Sequence, residues 1–270
     1  MELHLRGRTA AVTGGSKGIG QGIARELARE GVNLHLAARH GDELKLVSDD
    51  IAERFGVTVE THAVDLSQRD ARDAFAQEIA GVDILVNCAG AIPGGGLDQV
   101  DEDTWRQSWE LKLFGYVGIS RIVYKAMCDR RRGVIINIIG AGGVLTGAGY
   151  VAGGAGNSAL INFTRSLGGE AVRYGVRVVG INPGPVDTPR LTYLHKLAEE
   201  KVAAPDLDAF RRQRGRNMAY GRPAKVDEIT GLVAFLASDR AAYLTGEVIN
   251  VDGGIIARGG TPGDPIGSNA

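Results

Sequence analysis

Seven strand-length apolar runs alternate with helix-period segments along this chain, and that alternation restricts its fold more tightly than any other feature. The runs are Arg8 to Thr13, Asn33 to Ala38, Thr58 to Val64, Asp83 to Val86, Gly133 to Ile138, Val176 to Ile181 and Glu247 to Val251. Most are continuously apolar, which suits strands covered on both faces. Between them lie helical patterns at Gly18 to Arg29, Asp42 to Phe55, Ala71 to Ile79, Glu102 to Met127, Ala159 to Tyr174 and Lys225 to Ala237. This order predicts an α/β fold, a doubly wound parallel sheet flanked by helices. No repeat, linker or charge block interrupts it, so residues 1–270 are expected to form one domain. Asp187 to Tyr220, long and charged, reads as a lid or substrate segment, and the Gly/Pro-rich tail from about Arg258 as flexible.

Composition removes several function classes. The chain carries 31 basic against 32 acidic residues, without the basic excess of a nucleic-acid or anionic-membrane binder. Cys88 and Cys128 cannot make a disulfide framework or a cysteine-based zinc site. The longest nearly apolar run, Val134 to Leu145, is too short to span a bilayer, and the N-terminal residues show no apolar signal region. A soluble cytoplasmic protein that acts on a small molecule is expected.

The 40 glycines, about twice the average share, are the compositional anomaly. Thr13-Gly14-Gly15-Ser16-Lys17-Gly18-Ile19-Gly20 follows the first strand and opens the first helix. A dinucleotide pyrophosphate needs this layout. Gly14 permits the turn, Gly18 lets backbone approach the ligand, and Gly20 allows the helix to pack closely. The anion then rests on the free amides of the helix N-terminus. At the end of the second strand Ala38 stands where an NAD site places an acid, and Arg39 follows. Arg39 with Lys17 suits a 2′-phosphate, which favours NADP(H) over NAD(H), although two surface cations would look the same.

From these residues onward the sequence resembles the short-chain dehydrogenase/reductase family over nearly its whole length. The matching blocks are TGGSKGIG at Thr13, VDL at Val64, NCAG at Asn87, VIINI at Val134, NPGPVDT at Asn182, GRP at Gly221 and LTGEVINVDGG at Leu244. The resemblance implies a Rossmann-type sheet of seven strands with the nicotinamide over the strands' C-terminal ends. It places Asp65 and Leu66 at the adenine, and Asn87, Ala89 and Gly90 along the middle of the cofactor. Pro183, Gly184, Val186 and Thr188 would hold the nicotinamide amide and the phosphates. Asn87 could equally tie neighbouring loops together. The resemblance also implies a homotetramer paired through Glu102 to Met127, Ala159 to Tyr174 and the last strand near Gly246 to Asp252.

Family members that reduce ketones use a tyrosine acid/base, a lysine four residues later, a serine about thirteen residues upstream and an asparagine in the preceding long helix. Tyr150 is followed four residues on by Gly154, not lysine. The block Leu160 to Leu167 sets the tyrosine position at Gly153 and the lysine position at Asn157. VIINI independently sets the serine position at Gly140, thirteen residues before Gly153. The pattern around Trp105 and Gly115 sets the asparagine position at Lys112. The member is therefore read as atypical, without the Ser/Tyr/Lys/Asn set, and the standard tyrosine mechanism is excluded. Loss of a positioned acid/base typically costs roughly 10² to 10⁴ in rate.

Lys112, Asn157 and Tyr150 are the candidates to replace it. Lysine and asparagine have in effect exchanged helices, so Lys112 could place its ammonium near Asn157 and the nicotinamide ribose. It could also be a solvated helix residue, with Asn157 a cap. Tyr150 could lean into the space left at Gly153, or simply pack at a helix start. His195 lies in the lid segment, while His4, His35, His40 and His62 make no metal-ligand spacing, so no metal is expected. The eight glycines from Gly140 to Gly156 read as a widened cavity or as a site without constraint. Three readings remain: an NADP(H)-dependent oxidoreductase with a non-standard site; a cofactor binder without turnover, such as a sensor or the partner of an intact homologue; and a lyase or isomerase.

Overall fold

The apolar runs become strands β1 Thr9–Thr13, β2 Asn33–Ala38, β3 Val59–Ala63, β4 Ile84–Asn87, β5 Gly133–Ile138, β6 Val176–Pro183 and β7 Val248–Val251. The computed structural model describes residues 2–200, 202–216 and 218–259. All seven strands pair in parallel in the order β3-β2-β1-β4-β5-β6-β7. The order reverses between β1 and β4, which opens a crevice at their C-terminal ends. Most of the expected tail lies outside the described residues.

Helices α1 Gly18–Arg29, α2 Gly41–Phe55, α3 Arg69–Glu78, α4 Glu102–Trp109, α5 Gly115–Asp129, α6 Val151–Ala171, α7 Pro189–Glu199, α8 Leu207–Arg216 and α9 Asp227–Ala237 complete the layers. On one sheet face Ile23, Leu27, Leu44, Ile51 and Val233 from the helices meet Leu34, Leu36, Val86 and Ile136. On the other, Phe75, Ile119, Val123 and Met127 meet Leu85, Ile135 and Val178. The central strands are buried along nearly their whole length, whereas edge strand β3 has no buried residue and is partly open. Among the described residues no helix is long and apolar enough to cross a membrane.

Three differences from the sequence pattern bear on the site. The long helix expected at Glu102 to Met127 is interrupted by a π-helical turn, Glu110–Phe114, with Lys112 at its centre. Such a turn inserts a residue and rotates the helix faces beyond it. Helix α6 begins at Val151, well before Ala159, because its glycine-rich first turns are held by packing: Trp109 Nε1 donates to Ala152 O at 3.1 Å. The lid segment is not irregular but carries α7 and α8.

A chain of buried amides ties four elements together beneath the site. Asn87 Nδ2 donates to Asn137 Oδ1 at 2.9 Å and to Ser120 Oγ at 3.0 Å. Asn137 Nδ2 donates to Thr164 Oγ1 at 2.9 Å, which donates to Leu160 O at 2.8 Å. Neither asparagine is exposed at all. Removing one partner of such a chain leaves the next polar group buried and unpaired. Asn137→Ala is expected to lower the unfolding free energy by about 1–3 kcal/mol for each group so orphaned, read by urea denaturation.

Candidate active site

The crevice at the switch point is a groove of about 600 Å³. Gly14, Ser16, Lys17, Gly18, Ile19 and Gly20 form its floor, with Arg39 and Leu66 at one end and Ala89, Gly90 and Thr188 towards the other. The glycine loop fits a pyrophosphate. A Cβ on Gly20 would lie 2.2 Å from Gly14 O, so helix and turn close only over a glycine. Gly18 has φ +56 and faces the Thr188 methyl, and no side chain caps the N-terminus of α1. The first-turn amides are thus left for an anion.

Six residues placed at the cofactor by sequence lie off the groove wall. Asn87 is fully buried in its amide chain, the structural role that the sequence left open. Asp65 accepts from Ser67 N and Oγ, Gly184 packs on Asp252, and Pro183 and Val186 are buried. Asn157 stands deeper, beside Gly140. Residues that the sequence reading did not place there also line the groove, among them Glu43, Leu111, Arg190 and Tyr193. His195, on α7 and half-buried, is not on its wall. Another depression, about 710 Å³, lies against α3 and α5 and holds no part of the glycine loop.

At the adenosine end Arg39 is exposed, but Lys17 Nζ sits 2.7 Å from Glu43 Oε1. The Lys17 hydrogen bond holds the Glu43 carboxyl below the usual range, and Glu43 Oε2 is buried without a partner. Lys17 is therefore partly neutralised where a 2′-phosphate would sit.

The other end is built around Lys112, which the π turn directs inward. Its stem packs on Gly90, where a Cβ would lie 2.3 Å from Lys112 Cδ. Lys112 Nζ donates to Ile138 O at 2.7 Å, Ile139 O at 3.3 Å and Tyr116 Oη at 2.9 Å, and Tyr116 Oη donates to Ile138 O at 2.8 Å. An ammonium has three protons, and all three are engaged. Lys112 is neither solvated nor hydrogen-bonded to Asn157. Burial pulls its pKa down from 10.5 to about 8. Burial also pushes the Cys88 thiol up to about 11, too high for thiolate chemistry at neutral pH.

Neighbours fill the space around the two glycines. A Cβ on Gly153 would lie 1.9 Å from Tyr150 Cζ, so the Tyr150 ring occupies the place where a side chain at 153 would start. A Cβ on Gly140 would lie 3.0 Å from Asn157 Nδ2, and Gly140 has φ +145. Gly142 and Gly143 likewise lie against Tyr150, Asn157 and Ile161. Around Gly140, Gly142, Gly143 and Gly153 the segment is packed, whereas Gly147 and Gly149 face open space. Two polar atoms remain unused. Asn157, 4 % exposed, has a buried Oδ1 without a partner, and Tyr150 Oη has none among the described residues. Burial raises the Tyr150 pKa against the opposing charge of Arg190, so the phenol stays protonated. Arg190 Nη2 donates to Ile92 O at 2.8 Å and leaves its other donors available to the groove.

Residues 8–198 match the short chain dehydrogenase family. The chain belongs to that family. It is 31 % identical over 261 residues to the 3-oxoacyl-(acyl-carrier-protein) reductase FabG of Aquifex aeolicus, covering 94 % of this chain and all of the relative. Among solved structures, L-sorbose reductase from Gluconobacter frateurii with NADPH and L-sorbose superposes with a TM-score of 0.87 at 30 % identity, covering 94 % of this chain and 98 % of the reductase. The actinorhodin polyketide ketoreductase with NADPH gives 0.85 at 28 %, covering 92 % and 97 %. The short chain dehydrogenase scaffold accounts for the sheet order and the glycine loop.

Two expectations follow for the catalytic end. Gly153→Ala must push the Tyr150 ring aside, and the overpacking should cost about 1–3 kcal/mol. Tyr150→Ala in the same chain should relieve it, so a double-mutant cycle should show coupling of at least about 1 kcal/mol. The second concerns pH. Between pH 8 and 10.5 the unfolded chain keeps a proton on Lys112 that the folded chain has released. Stability relative to Lys112→Met should therefore rise across that window, by at most on the order of 3 kcal/mol, and be flat below it. Denaturant unfolding of both proteins from pH 7 to 10 measures this.

Proposed function

We propose that this protein is an NADP(H)-dependent oxidoreductase that works without the serine, tyrosine, lysine and asparagine set of its family, whose positions we assign to Gly140, Gly153, Asn157 and Lys112. The observation that carries this reading is the Tyr150 ring seated against Gly153 with its phenol kept protonated by burial, while Asn157 Oδ1 is buried without a partner. The named relatives solved with NADPH, the glycine loop and Arg39 support the choice of cofactor.

A bound reduced nicotinamide supplies a hydride. The chain's own groups supply position and polarity. Glycine-loop amides hold the pyrophosphate, and Arg39 meets the 2′-phosphate once Lys17 is shared with Glu43. Asn157 Oδ1 accepts a hydrogen bond from a ribose hydroxyl or a substrate N–H. Tyr150 Oη donates to the substrate, and Arg190 on the lid helix draws in an anionic group. Lys112 holds the end of β5 in place and has no proton to spare. A single phenol without a lysine partner is a weak acid, which suits an activated C=C or C=N bond better than a ketone. The engagement of all three Lys112 protons also favours a second reading, cofactor binding without turnover.

Steady-state loss of NADPH absorbance across a panel of ketones, enones and imines separates the two. Turnover of enones or imines, reduced by roughly 10² in Tyr150→Phe, is the expected result. NADPH binding with no turnover of any class leaves the second reading. In the same preparation Arg39→Asp should weaken NADPH binding by about 1.5–3 kcal/mol and leave NADH little changed. Glu43→Gln, by freeing Lys17, should tighten NADPH, as calorimetric titration would report.

A further inference from the structure

The histidines that show no ligand spacing along the chain meet across two strands. In the β2–β3 register His35 stands opposite Glu60, and His62 opposite Ala37, so one face of the sheet edge carries His35, Glu60 and His62 together. His35 Nδ1 lies 3.2 Å from His62 Nε2 and 3.5 Å from Glu60 Oε2, and all three ligand atoms fall within 4.8 Å of one another. Two ligands bonded tetrahedrally to zinc at 2.0–2.1 Å stand roughly 3.3 Å apart. The separations of 3.2 and 3.5 Å from His35 are close to those of neighbouring corners around one such ion.

The surroundings point the same way. His62 Nδ1, the nitrogen turned away from the cluster, lies 3.1 Å from Glu78 Oε2 on α3. A carboxylate in that place accepts a hydrogen bond from Nδ1–H, which keeps the proton on Nδ1 and leaves Nε2 a free lone pair aimed at the cluster. This is how metal-ligating histidines are oriented. The His62 ring is also fixed edge-on against Phe75, with centroids 5.1 Å apart. Both imidazoles are mostly buried, at 22 % and 15 % side-chain exposure, while Glu60 at 62 % opens the cluster to solvent. Without an ion, two ring nitrogens face each other and can share only one proton.

We propose that His35, His62 and Glu60 form a binding site for one Zn²⁺, with water in the fourth position and Glu78 orienting His62. Two imidazoles and a carboxylate are a donor set suited to zinc rather than to magnesium or calcium. Bound there, the ion staples the edge strand β3 to β2 across the sheet. The site is separate from the cofactor groove and independent of the reaction proposed for it.

The test is titration of the chelator-stripped full chain with Zn²⁺ in competition with a chromophoric chelator. One equivalent bound with a Kd of about 1 μM or tighter is expected, together with a higher thermal midpoint in Zn²⁺. Glu60→Gln, at an exposed position, should weaken binding at least tenfold while leaving the midpoint of the metal-free protein unchanged. Glu78→Gln touches no metal and should weaken binding by about 10- to 100-fold. Co²⁺ in place of Zn²⁺ should give the intense visible bands of a tetrahedral site, lost in His35→Asn/His62→Gln. Absence of stoichiometric binding would overturn the proposal. So would binding that survives unchanged in Glu60→Gln and in the double histidine variant, since the ion would then sit elsewhere.

Discussion

The ammonium of Lys112 is the contact on which the catalytic end is built. It reaches the last carbonyls of β5 only because the helix above it takes a π turn and because Gly90 leaves room for its stem. Placing a cation there costs desolvation, which its lowered pKa records, and three oxygens offset that cost. The gain is a fixed end to β5. Gly140 follows at once, and its amide donates to Asn182 Oδ1 at 3.3 Å, which carries the same order into β6. Lysine here acts as a brace between a helix and a strand end.

Neighbouring side chains fill the space beside two glycines. Side chains from nearby positions take up the volume beside Gly153 and Gly140: the Tyr150 ring for one, the Asn157 amide for the other. Interiors tolerate few voids, so a deleted side chain is followed by a rearranged one. The glycine loop is independent of these side chains, because its geometry depends on backbone alone.

The legible parts of this protein were local ones. Strands, their order of alternation with helices and the glycine loop follow from periodicity and from a few backbone requirements within some ten residues. The site features that escaped the sequence depend on distance through space. Lys17 was read as a free cation, and its ion pair with Glu43 arises only when the loop after β1 meets the first turn of α2. Helix α6 begins early because Trp109 and Tyr150 pack on glycines whose propensity argues against a helix. Asn87 faces Ser120 and Asn137 rather than the groove, a choice of sheet face that a four-residue strand does not declare. His35 and His62 are separated by a helix in sequence and brought together by strand register.

The backbone at Gly140 limits what can be substituted there. With φ at +145 it occupies a region essentially closed to any residue with a Cβ, and the Asn157 amide already stands over it. A residue with a side chain cannot be seated there by one substitution without bending the strand end. A bulky residue at 153 is likewise barred while Tyr150 keeps its rotamer. Positions 140 and 153 are thereby tied to Asn157 and Tyr150, so a larger side chain at either one can be seated only after its partner has moved or shrunk, and the two glycines are held in place by sterics alone.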